Sequence, residues 1–343
     1  MNDPVLLFTS LSSKVALFQS VQKQAKFFSP KARVIGADSN PSCEGRVKID
    51  HFCQTPKTKG WNTEDLLTFC KKYKISHIIP SRDGELVLWA RNKEALKEIG
   101  IDVMVSSEQA LKRCQDKYEF SKSWPQECIL QPIPTFTEPE EISDQELVVK
   151  ERRGSGSRKI GLELSLAQAK EWGAFLHEPI FQPYLEGPEL SAETWINREG
   201  KCHGMLLRWR KVVVHGESHE TEVFKDRILE EKIKSSLELI DGLYGHCLVQ
   251  LIIPANSKPM LVEINPRLGG ATPLALYAGI KSISWFLMES YGMGDEIPMS
   301  PTIKYGSKLF KKNGKVRIEN PFTSRQNNGC LLYTSDAADD IPG

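Results

Sequence analysis

The sequence predicts an α/β fold in which a doubly wound parallel sheet is followed by a two-lobed unit built on antiparallel sheets. Three observations lead to this fold class. Strand-like and helix-like segments alternate over roughly the first 110 residues, hairpin patterns replace that alternation after Pro125, and 343 residues are enough for two or more domains. The first part is therefore predicted to be α/β, and the lobes that follow to be α+β.

The parallel sheet is predicted from a β-α-β order at the N-terminus. A strand at 5–9 is followed by a helix whose apolar residues recur every three or four positions until Pro30, and the next strand is at 33–37. The later segments, in order, are a helix at 63–73, a strand at 75–79, a helix at 85–99 and a strand at 101–105. No G-x-G-x-x-G motif follows the first strand, which disfavours a dinucleotide site.

The ligands of such sheets lie beyond the carboxyl ends of the strands. Those ends carry Ser10 and a turn that contains Asp83 and Glu85, so these three residues are candidate substrate contacts. The alternative interpretation is that they form turns and cap helices.

Composition narrows the classes of partner. With 45 basic and 44 acidic residues, the net charge of +1 predicts binding neither to nucleic acid nor to a membrane surface. No apolar run approaches the roughly 18 residues of a membrane span, and Asp3 and Pro4 stand where a signal peptide carries positive charge. The eight cysteines are scattered without a C-x-x-C pair, so neither a disulfide framework nor a structural zinc site is expected. We expect a cytoplasmic protein.

The end of the chain is treated separately. Residues 331–343 read LLYTSDAADDIPG and break the preceding apolar pattern. They resemble translated adapter read-through, so we predict a non-native tail, with a natural disordered tail as the alternative. Without its three acidic residues the net charge rises from +1 to +4.

A strand that ends at Lys150 opens into a loop rich in glycine and serine. The backbone N–H groups of such a loop and the lysine ammonium can bind phosphate oxygens. The candidates are Lys150, Gly154, Ser155, Gly156 and Ser157. Because the lysine precedes the glycines, a Walker A loop is excluded, and a plain flexible hairpin loop is the alternative.

An apolar strand that contains Gln182 leads into a Gly-Pro segment and Glu189. The backbone of such an extended linker can read an adenine edge, and the carboxylate of Glu189 can accept hydrogen bonds from both ribose hydroxyls. A strand followed by an ordinary turn is the alternative.

Two apolar strands further along the chain are joined by a hairpin signature. We predict that Ile253 pairs with Met260. Gln250 then lies opposite Glu263, and Asn265 shares their face. Three oxygen-bearing side chains that converge on an apolar sheet suit Mg²⁺. A hydrogen-bonded structural cluster is the alternative.

The segment after Asn265 contains Arg267, Gly269 and Gly270 and begins a helix. Backbone N–H groups at the start of this helix make an anion site beside Arg267. The two glycines are candidate substrate contacts, and Arg267 can bind a carboxylate or stabilise charge on a transferring phosphoryl group. A structural helix cap is the alternative.

Arg208 and Arg210 alternate along a strand and are expected on one face. There Arg210 would neutralise the triphosphate of a nucleotide and Arg208 would contact an acidic substrate, and a basic, solvated edge strand is an equally weighted alternative. The polar stretch at 215–226 is expected to be a mobile active-site loop.

In their order along the chain, these motifs resemble the ATP-grasp superfamily, and most closely its carbamoyl-phosphate synthase large-subunit branch. The motifs are the lysine with its glycine-rich loop, Gln-Pro-Tyr-Leu-Glu-Gly-Pro-Glu from Gln182, and Glu-Ile-Asn-Pro-Arg from Glu263. The resemblance implies a preATP-grasp domain at 1–115, a small ATP-grasp lobe at 116–186 and a large lobe with a metal site at 187–330.

The resemblance also implies roles for individual residues. It implies ATP contacts from Lys117, Lys150, the loop at 154–157, Gln182, Tyr184, Leu185 and Glu189. Mg²⁺, with Mn²⁺ as an alternative, would be bound by Gln250, Glu263 and Asn265, and the catalytic residues would be Arg267 and Lys150. Two positions depart from the family pattern, because Gln250 offers an amide where many relatives have an acid, and Gln182 replaces the more usual glutamate.

The implied function is an ATP-dependent ligase. A substrate carboxylate attacks the γ-phosphoryl group to give an acyl phosphate and ADP, and an amine, or less often a thiol, then displaces phosphate. The expected partners are small-molecule carboxylates and amines, and a homodimer is one of the oligomeric states left open. A non-catalytic ATP-binding regulatory or scaffold protein, or a phosphotransferase without ligation, is the alternative. The presence of Glu263, Asn265 and Arg267 together favours an enzyme.

Overall fold

The computed structural model describes residues 3–143, 145–154, 159–255, 257–321 and 331–333, the last three by their backbone alone. No helix in these described ranges has the length and the apolar character that crossing a membrane requires.

The N-terminal part is a five-stranded parallel sheet flanked by helices. Its strands are β1 Val5–Phe8, β2 Arg33–Asp38, β3 Phe52–Gln54, β4 His77–Ile79 and β5 Asp102–Val103. Its helices are α1 Val15–Phe28, α2 Thr63–Lys72, α3 Asp83–Arg91, α4 Lys93–Glu98 and α5 Glu108–Gln115. The strand order is β3-β2-β1-β4-β5, so the direction of winding reverses between β1 and β4. The predicted doubly wound sheet is confirmed.

The predicted helix at 85–99 is wrong in one respect, because it is two helices, α3 and α4. They meet at Asn92, whose side-chain amide donates to the carbonyl of Leu88 at 2.8 Å and accepts from the Thr63 hydroxyl at 2.7 Å. Asparagine side chains that bond to the backbone compete with helical hydrogen bonds. The break therefore follows from a local polar contact.

A small sheet follows the parallel one. The chain passes through α6 Lys117–Lys122 and β6 Gln131–Pro132 before the small sheet, which contains β7 Leu147–Glu151, β8 Gly161–Leu164 and β9 Pro179–Pro183, with α7 Leu166–Gly173 packed on it. The order β8-β7-β9 is antiparallel throughout. Its own core is small and consists of Ile142, Leu147, Val149, Ala169 and Phe181. We call β7 to β9 with α7 the small lobe.

A large mixed sheet forms the rest of the chain. Its further strands are β10 Glu189–Ile196, β11 Cys202–Val214, β12 Glu217–Phe224, β13 Gly245–Ile252, β14 Met260–Asn265, β15 Lys308–Lys312, β16 Lys315–Glu319 and β17 Leu331–Tyr333. Its helices are α8 Arg227–Leu237, α9 Thr272–Ala278 and α10 Ser282–Ser290. The order is β17-β16-β15-β12-β11-β10-β13-β14-β6, so β6 belongs to this sheet although it lies within the range predicted for the small lobe. We call this sheet with its helices the large lobe.

Two expectations for the large lobe are wrong. The stretch at 215–226 is largely strand β12 rather than a mobile loop, because His215 and Gly216 both adopt positive φ, at 49° and 77°, and form a two-residue hairpin turn. Arg208 and Arg210 do not lie on an edge strand, because β11 pairs with β10 on one side and β12 on the other.

The predicted non-native tail is described only in part. Residues Leu331–Tyr333 pair as β17 with β16, and residues 334–343 lie outside the described ranges. The origin of the tail therefore stays a prediction.

The N-terminal part and the large lobe share one core. Leu6, Phe8 and Phe18 of the parallel sheet and α1 pack in the same buried cluster as Trp195 and Phe286 of the large lobe. Buried Gln24 of α1 bonds three backbone groups of the large lobe, those of Leu276, Ile280 and Ile283, at 3.0–3.1 Å. The parallel sheet is therefore held firmly against the large lobe, and its strand ends face the segment around Arg267.

Candidate active site

A cavity of about 520 Å³ lies between the small lobe and the large lobe. The small lobe contributes Lys150 of β7 and Gly154, and Lys117 of α6 joins them. The large lobe contributes Glu189 and Arg210 from the neighbouring strands β10 and β11. From β13, β14 and the loop after β14 come Gln250, Glu263, Asn265, Arg267, Gly269 and Gly270. The structure therefore brings most of the predicted nucleotide and metal residues to one cavity.

Two lysines on one wall of this cavity form no ion pair with a carboxylate of the described residues. Within the described residues, the Lys150 ammonium has no hydrogen bond or ion pair, and the Lys117 ammonium donates to the carbonyl of Gly154 at 2.8 Å. Burial is the main cause that lowers the pKa of Lys150 to about 8; the charge of Lys117 acts in the same direction, and Glu263 and Glu189 oppose both. A bound anion would relieve both effects, so this wall is suited to phosphate oxygens.

The predicted oxygen cluster forms at the opposite wall, although the pairing of its strands differs in detail. Met260 pairs with Ile252 rather than with Ile253. A bulge at Val262 inserts one extra residue, and Gln250 lies opposite Glu263 as predicted. The predicted register was wrong by one residue at the turn. The extra residue of the bulge restores it further along, so Gln250 and Glu263 face each other as predicted.

The chemistry of this cluster fits a magnesium ion. The amide nitrogen of Asn265 donates to Glu263 Oε1 at 2.8 Å, and the Asn265 oxygen accepts a long hydrogen bond of 3.4 Å from Arg267. No group of three His, Cys, Asp or Glu side chains suited to a metal occurs in the described part of the chain, so this set has one carboxylate and two amides. Mg²⁺ commonly takes one or two carboxylates together with nucleotide phosphates. Gln250, Glu263 and Asn265 therefore match its ligand preference when a nucleotide supplies the remaining oxygens.

Arg267 lies where the large lobe meets the N-terminal parallel sheet. Its Nε and Nη2 donate to the two carboxylate oxygens of Asp83 at 2.6 and 2.5 Å, and Nη2 is 3.4 Å from the Asn265 oxygen. Burial alone would lower the pKa of Arg267, but the hydrogen-bonded Asp83 raises it, so the guanidinium is charged. Two residues predicted for different roles, catalysis for Arg267 and substrate contact for Asp83, are thus bound to each other.

The glycine loop after Arg267 is supported from beneath by a buried polar network. Thr272 accepts from the N–H of Gly269 at 2.7 Å and donates to Glu193 at 2.6 Å. Glu193 also binds Arg208 at 2.8 Å and His246 at 2.9 Å. Burial would raise the pKa of Glu193, but the charge of Arg208 and these hydrogen bonds hold it well below its usual range.

Arg208, a predicted substrate contact, lines the first cavity but is almost fully buried in an ion pair, and its substrate role stays a prediction. It is only 1% exposed, and besides Glu193 it donates to the hydroxyls of Ser218 at 3.1 Å and Thr221 at 3.3 Å. Its strand neighbour on the same face, Arg210, reaches the cavity and binds Glu189 at 2.9 Å. The alternation of the strand was predicted correctly, but the depth of each side chain was not.

The predicted adenine residues are not brought to the cavity wall. Gln182, Tyr184 and Leu185 are absent from its lining, which consists of described residues only. The Gln182 amide is buried and donates to the Thr135 hydroxyl at 2.7 Å, and the Tyr184 N–H donates to the carbonyl of Glu146 at 2.8 Å. Ser155, Gly156 and Ser157 lie outside the described residues. The adenine and flap assignments stay predictions.

A second cavity, of about 860 Å³, lies at the carboxyl edge of the parallel sheet. It contains Ser10, Asp83 and Glu85, the three predicted substrate contacts, and it shares Glu217, Arg267, Gly269 and Gly270 with the first cavity. The carboxylate of Glu85 accepts from the N–H groups of Ser81 and Arg82 at 3.0 and 3.1 Å, which matches the alternative reading of this residue as a helix cap.

Lys14 also lines the second cavity, although it was not among the predicted site residues. The only sequence signal is its place four residues after Ser10, just before α1. The strand order is needed to see that this position lies beside the end of β4, where Lys14 contacts Ser81.

The fold and the site define a protein of the ATP-grasp type. Residues 114–271 match the family model for the ATP-grasp domain, and residues 6–104 match the model for the PylC-like N-terminal domain. The chain belongs to the ATP-grasp superfamily, with a PylC-like N-terminal domain before its ATP-grasp domain. No curated protein sequence is similar enough to this chain to count as a match.

Solved structures share the fold at low sequence identity. N5-carboxyaminoimidazole synthetase from Staphylococcus aureus, complexed with ADP, has a TM-score of 0.70 and 15% identity over 91% of this chain and 84% of that one. L-amino acid ligase from Bacillus licheniformis has a TM-score of 0.68 and 13% identity over 92% and 82%. Biotin carboxylase from Campylobacter jejuni, in an ATP complex, has a TM-score of 0.65 and 15% identity over 89% and 75%.

Proposed function

We propose that this protein is an ATP-dependent ligase that joins a small-molecule carboxylic acid to an amine, or less commonly to a thiol, and releases ADP and phosphate. Its membership of the ATP-grasp superfamily supports this class of reaction. Two of the similar solved structures are named as a synthetase and an amino acid ligase. We also propose that it acts in the cytoplasm, where ATP is plentiful. The oligomeric state is left open, and a dimer is described for a similar biotin carboxylase domain from Hydrogenobacter thermophilus.

The observation that carries this proposal is the junction of the two cavities. The first cavity has two ammonium groups that form no ion pair within the described residues and could bind a triphosphate, and the second has room for another small molecule. Both are lined by Arg267, Gly269 and Gly270. A γ-phosphoryl group bound at that junction would therefore face an acceptor in the second cavity.

The reaction needs positioning and charge stabilisation rather than a protein nucleophile. An oxygen of the substrate carboxylate attacks the γ-phosphorus, the bond to the ADP oxygen breaks, and an acyl phosphate forms. The amine nitrogen then attacks the acyl carbon, phosphate leaves, and the amine loses a proton. Lys117 and Lys150 would bind phosphate oxygens, and Arg267 would stabilise the charge on the transferring group. Gln250, Glu263 and Asn265 would hold Mg²⁺, or Mn²⁺ in its place, which neutralises phosphate charge when bound.

The test is a product assay with the full chain. The protein is incubated with MgATP and pools of carboxylic acids and amines, and the nucleotide and phosphate products are separated. ADP and phosphate that depend on both an acid and an amine support the ligase. AMP with pyrophosphate, a stable phosphorylated acid formed without any amine, or ATP binding without turnover in every pool would contradict it.

Variants test whether the first cavity performs this reaction. Lys150→Met and Glu263→Gln are each expected to lower kcat by about 10²-fold or more, because each removes a group that acts on phosphate charge. Lys170→Met is the matched control, since Lys170 is an exposed lysine on α7 of the same lobe. Full turnover by Lys150→Met would show that the site assignment is wrong.

A further inference from the structure

The second cavity opens at the switch point of the parallel sheet. Strands β1 and β4 are neighbours there, and the chain leaves them toward opposite sides. The Ser81 hydroxyl, just beyond β4, donates to the carbonyl of Thr9, just beyond β1, at 2.6 Å. In open α/β sheets, ligands bind in the crevice at this position. The large lobe closes the crevice from the other side with Arg267.

Two cations in this crevice are bound only to neutral groups. The Lys14 ammonium donates to the carbonyl of Ser10 at 2.8 Å and to the Ser81 hydroxyl at 3.0 Å. The Arg82 guanidinium donates to the hydroxyls of Ser10 at 3.2 Å and Thr58 at 2.7 Å. Within the described residues, neither cation forms an ion pair with a carboxylate. Both nevertheless contact the same residue, Ser10.

Ser10 is held in an unusual backbone conformation at this point. Its φ is 51°, in the left-handed region that residues other than glycine rarely adopt. This conformation presents its carbonyl to Lys14 and its hydroxyl to Arg82. Strained residues of this kind concentrate at ligand sites.

The carboxylates that face Lys14 are engaged elsewhere. Glu85 accepts from the N–H groups of Ser81 and Arg82, and Asp38 accepts from those of Ser12 and Asn40. Two cations, Arg82 and Arg267, also face Lys14, and Arg267 is paired with Asp83.

The protonation of Lys14 reflects this balance of charges. Burial is the main cause that lowers the pKa of Lys14 to about 8; Glu85 opposes it, Arg267 and Arg82 act in the same direction as burial, and Asp38 opposes them. The lining of the second cavity carries six basic and four acidic side chains, so an anionic ligand would offset part of its positive charge.

We propose that Lys14 and Arg82 bind a second anionic group of the acid substrate, separate from the carboxylate that is activated at Arg267. The substrate is then an acid with another oxyanion, either a dicarboxylic acid or a phosphorylated acid. This inference rests on the proposed function, because it assigns the second cavity to the acceptor.

The test measures anion binding directly and does not need turnover. Inorganic phosphate and succinate are titrated into the full chain by calorimetry at pH 7, for the wild type and for Lys14→Met and Lys14→Arg. Lys14→Met is expected to weaken binding of the preferred anion at least tenfold, and Lys14→Arg to retain it, because arginine keeps the positive charge. Tighter binding of phosphate supports a phosphorylated acid, and tighter binding of succinate supports a dicarboxylic acid.

The pH dependence provides a second readout. The Lys14 ammonium is present below pH 8 and lost above it, so wild-type affinity for succinate, which stays a dianion from about pH 7 upward, should be level up to pH 8 and fall by up to about tenfold per pH unit above it. Lys14→Arg should show no such fall, because an arginine stays protonated. A merely structural lysine would not produce this difference.

Controls separate this site from the first cavity. Lys150→Met removes a cation of the first cavity. It should leave unchanged the loss of anion affinity that Lys14→Met causes. If Lys14→Met does not fold, Arg82→Gln, which alters an exposed side chain, should weaken binding severalfold. Equal binding by the wild type and these variants, or no binding of either anion at millimolar concentration, overturns the inference. Lys14-dependent anion binding without any ligase activity would refute the proposed function but not this inference. Ligase activity that is unchanged in Lys14→Met would refute this inference but not the proposed function.

Discussion

Arg208 and Arg267 both bind a carboxylate through Nε, but their two ion pairs lie in different surroundings. In the Arg208–Glu193 pair, the side chains are 2% and 0% exposed, and His246 and Thr272 complete the hydrogen bonding of the glutamate. In the Arg267–Asp83 pair, the side chains are 17% and 18% exposed, and the guanidinium lines both cavities.

The difference separates a structural pair from an exchangeable one. Breaking a fully buried pair leaves a charge without solvent or partner, which is strongly destabilising. A pair at the edge of two cavities can exchange its partner for a ligand, because an incoming anion replaces the carboxylate that it displaces. The same pairing chemistry therefore supports the large lobe in one place and leaves a binding group accessible in the other.

The largest effect is expected from removing Glu193. Glu193→Ala leaves Arg208 as an uncompensated buried charge, so the free energy of unfolding should fall by about 3–5 kcal/mol. Chemical denaturation followed by circular dichroism measures this change. The reference is Glu108→Ala, which removes a carboxylate paired with Arg91 and Lys112 at the surface and should cost far less, because exposed ion pairs contribute little. Equal losses from the two variants would show that burial does not distinguish these pairs.

The next effect concerns activity rather than stability. In the proposed reaction Arg267 would face the transferring phosphoryl group, so removing its charge in Arg267→Gln should lower kcat by about 10²–10³-fold. Arg267→Lys should recover only part of this loss, because lysine keeps the charge but not the bidentate geometry. Product assays and denaturation are run on the same preparations. A loss of stability as large as that of Glu193→Ala would mean that this pair is also structural.

The smallest effect is expected from Asp83→Asn. The asparagine keeps the shape and one hydrogen bond, so the free energy of unfolding should change by about 1 kcal/mol or less. Because Asp83 and the substrate carboxylate would compete for the same guanidinium, the KM for the acid should fall severalfold with little change in kcat. A rise in KM would instead show that Asp83 positions Arg267 for the substrate.

Much of the site could be predicted because its motifs are local in sequence. The hairpin signature was sufficient to place Gln250 opposite Glu263, since the pairing of two adjacent strands depends mainly on the segment that joins them. The bulge at Val262 could not be predicted, but it did not change that facing pair. The same locality led to Lys150 at the end of β7.

The local pattern was insufficient where a residue's surroundings depend on distant elements. Alternation placed Arg208 and Arg210 on one face, but only the strands on both sides of β11 make Arg208 almost fully buried. The local pattern did not show that the Gln182 side chain bonds to Thr135, which is 47 residues away, and its adenine role stays a prediction. Lys14 was overlooked because nothing in the local pattern shows that β1 and β4 are neighbours.

The sequence by itself determined the order of the motifs, the alternation of strands and helices, and the superfamily. These properties depend on neighbouring residues and on the periodicity of strands and helices. Only the tertiary structure decided which charges are paired. It showed that Asp83, 184 residues from Arg267, binds that arginine, and that Lys14 and Arg82 meet at Ser10. The reason is physical, because the environment of a charge depends on every element packed around it, whatever their separation along the chain.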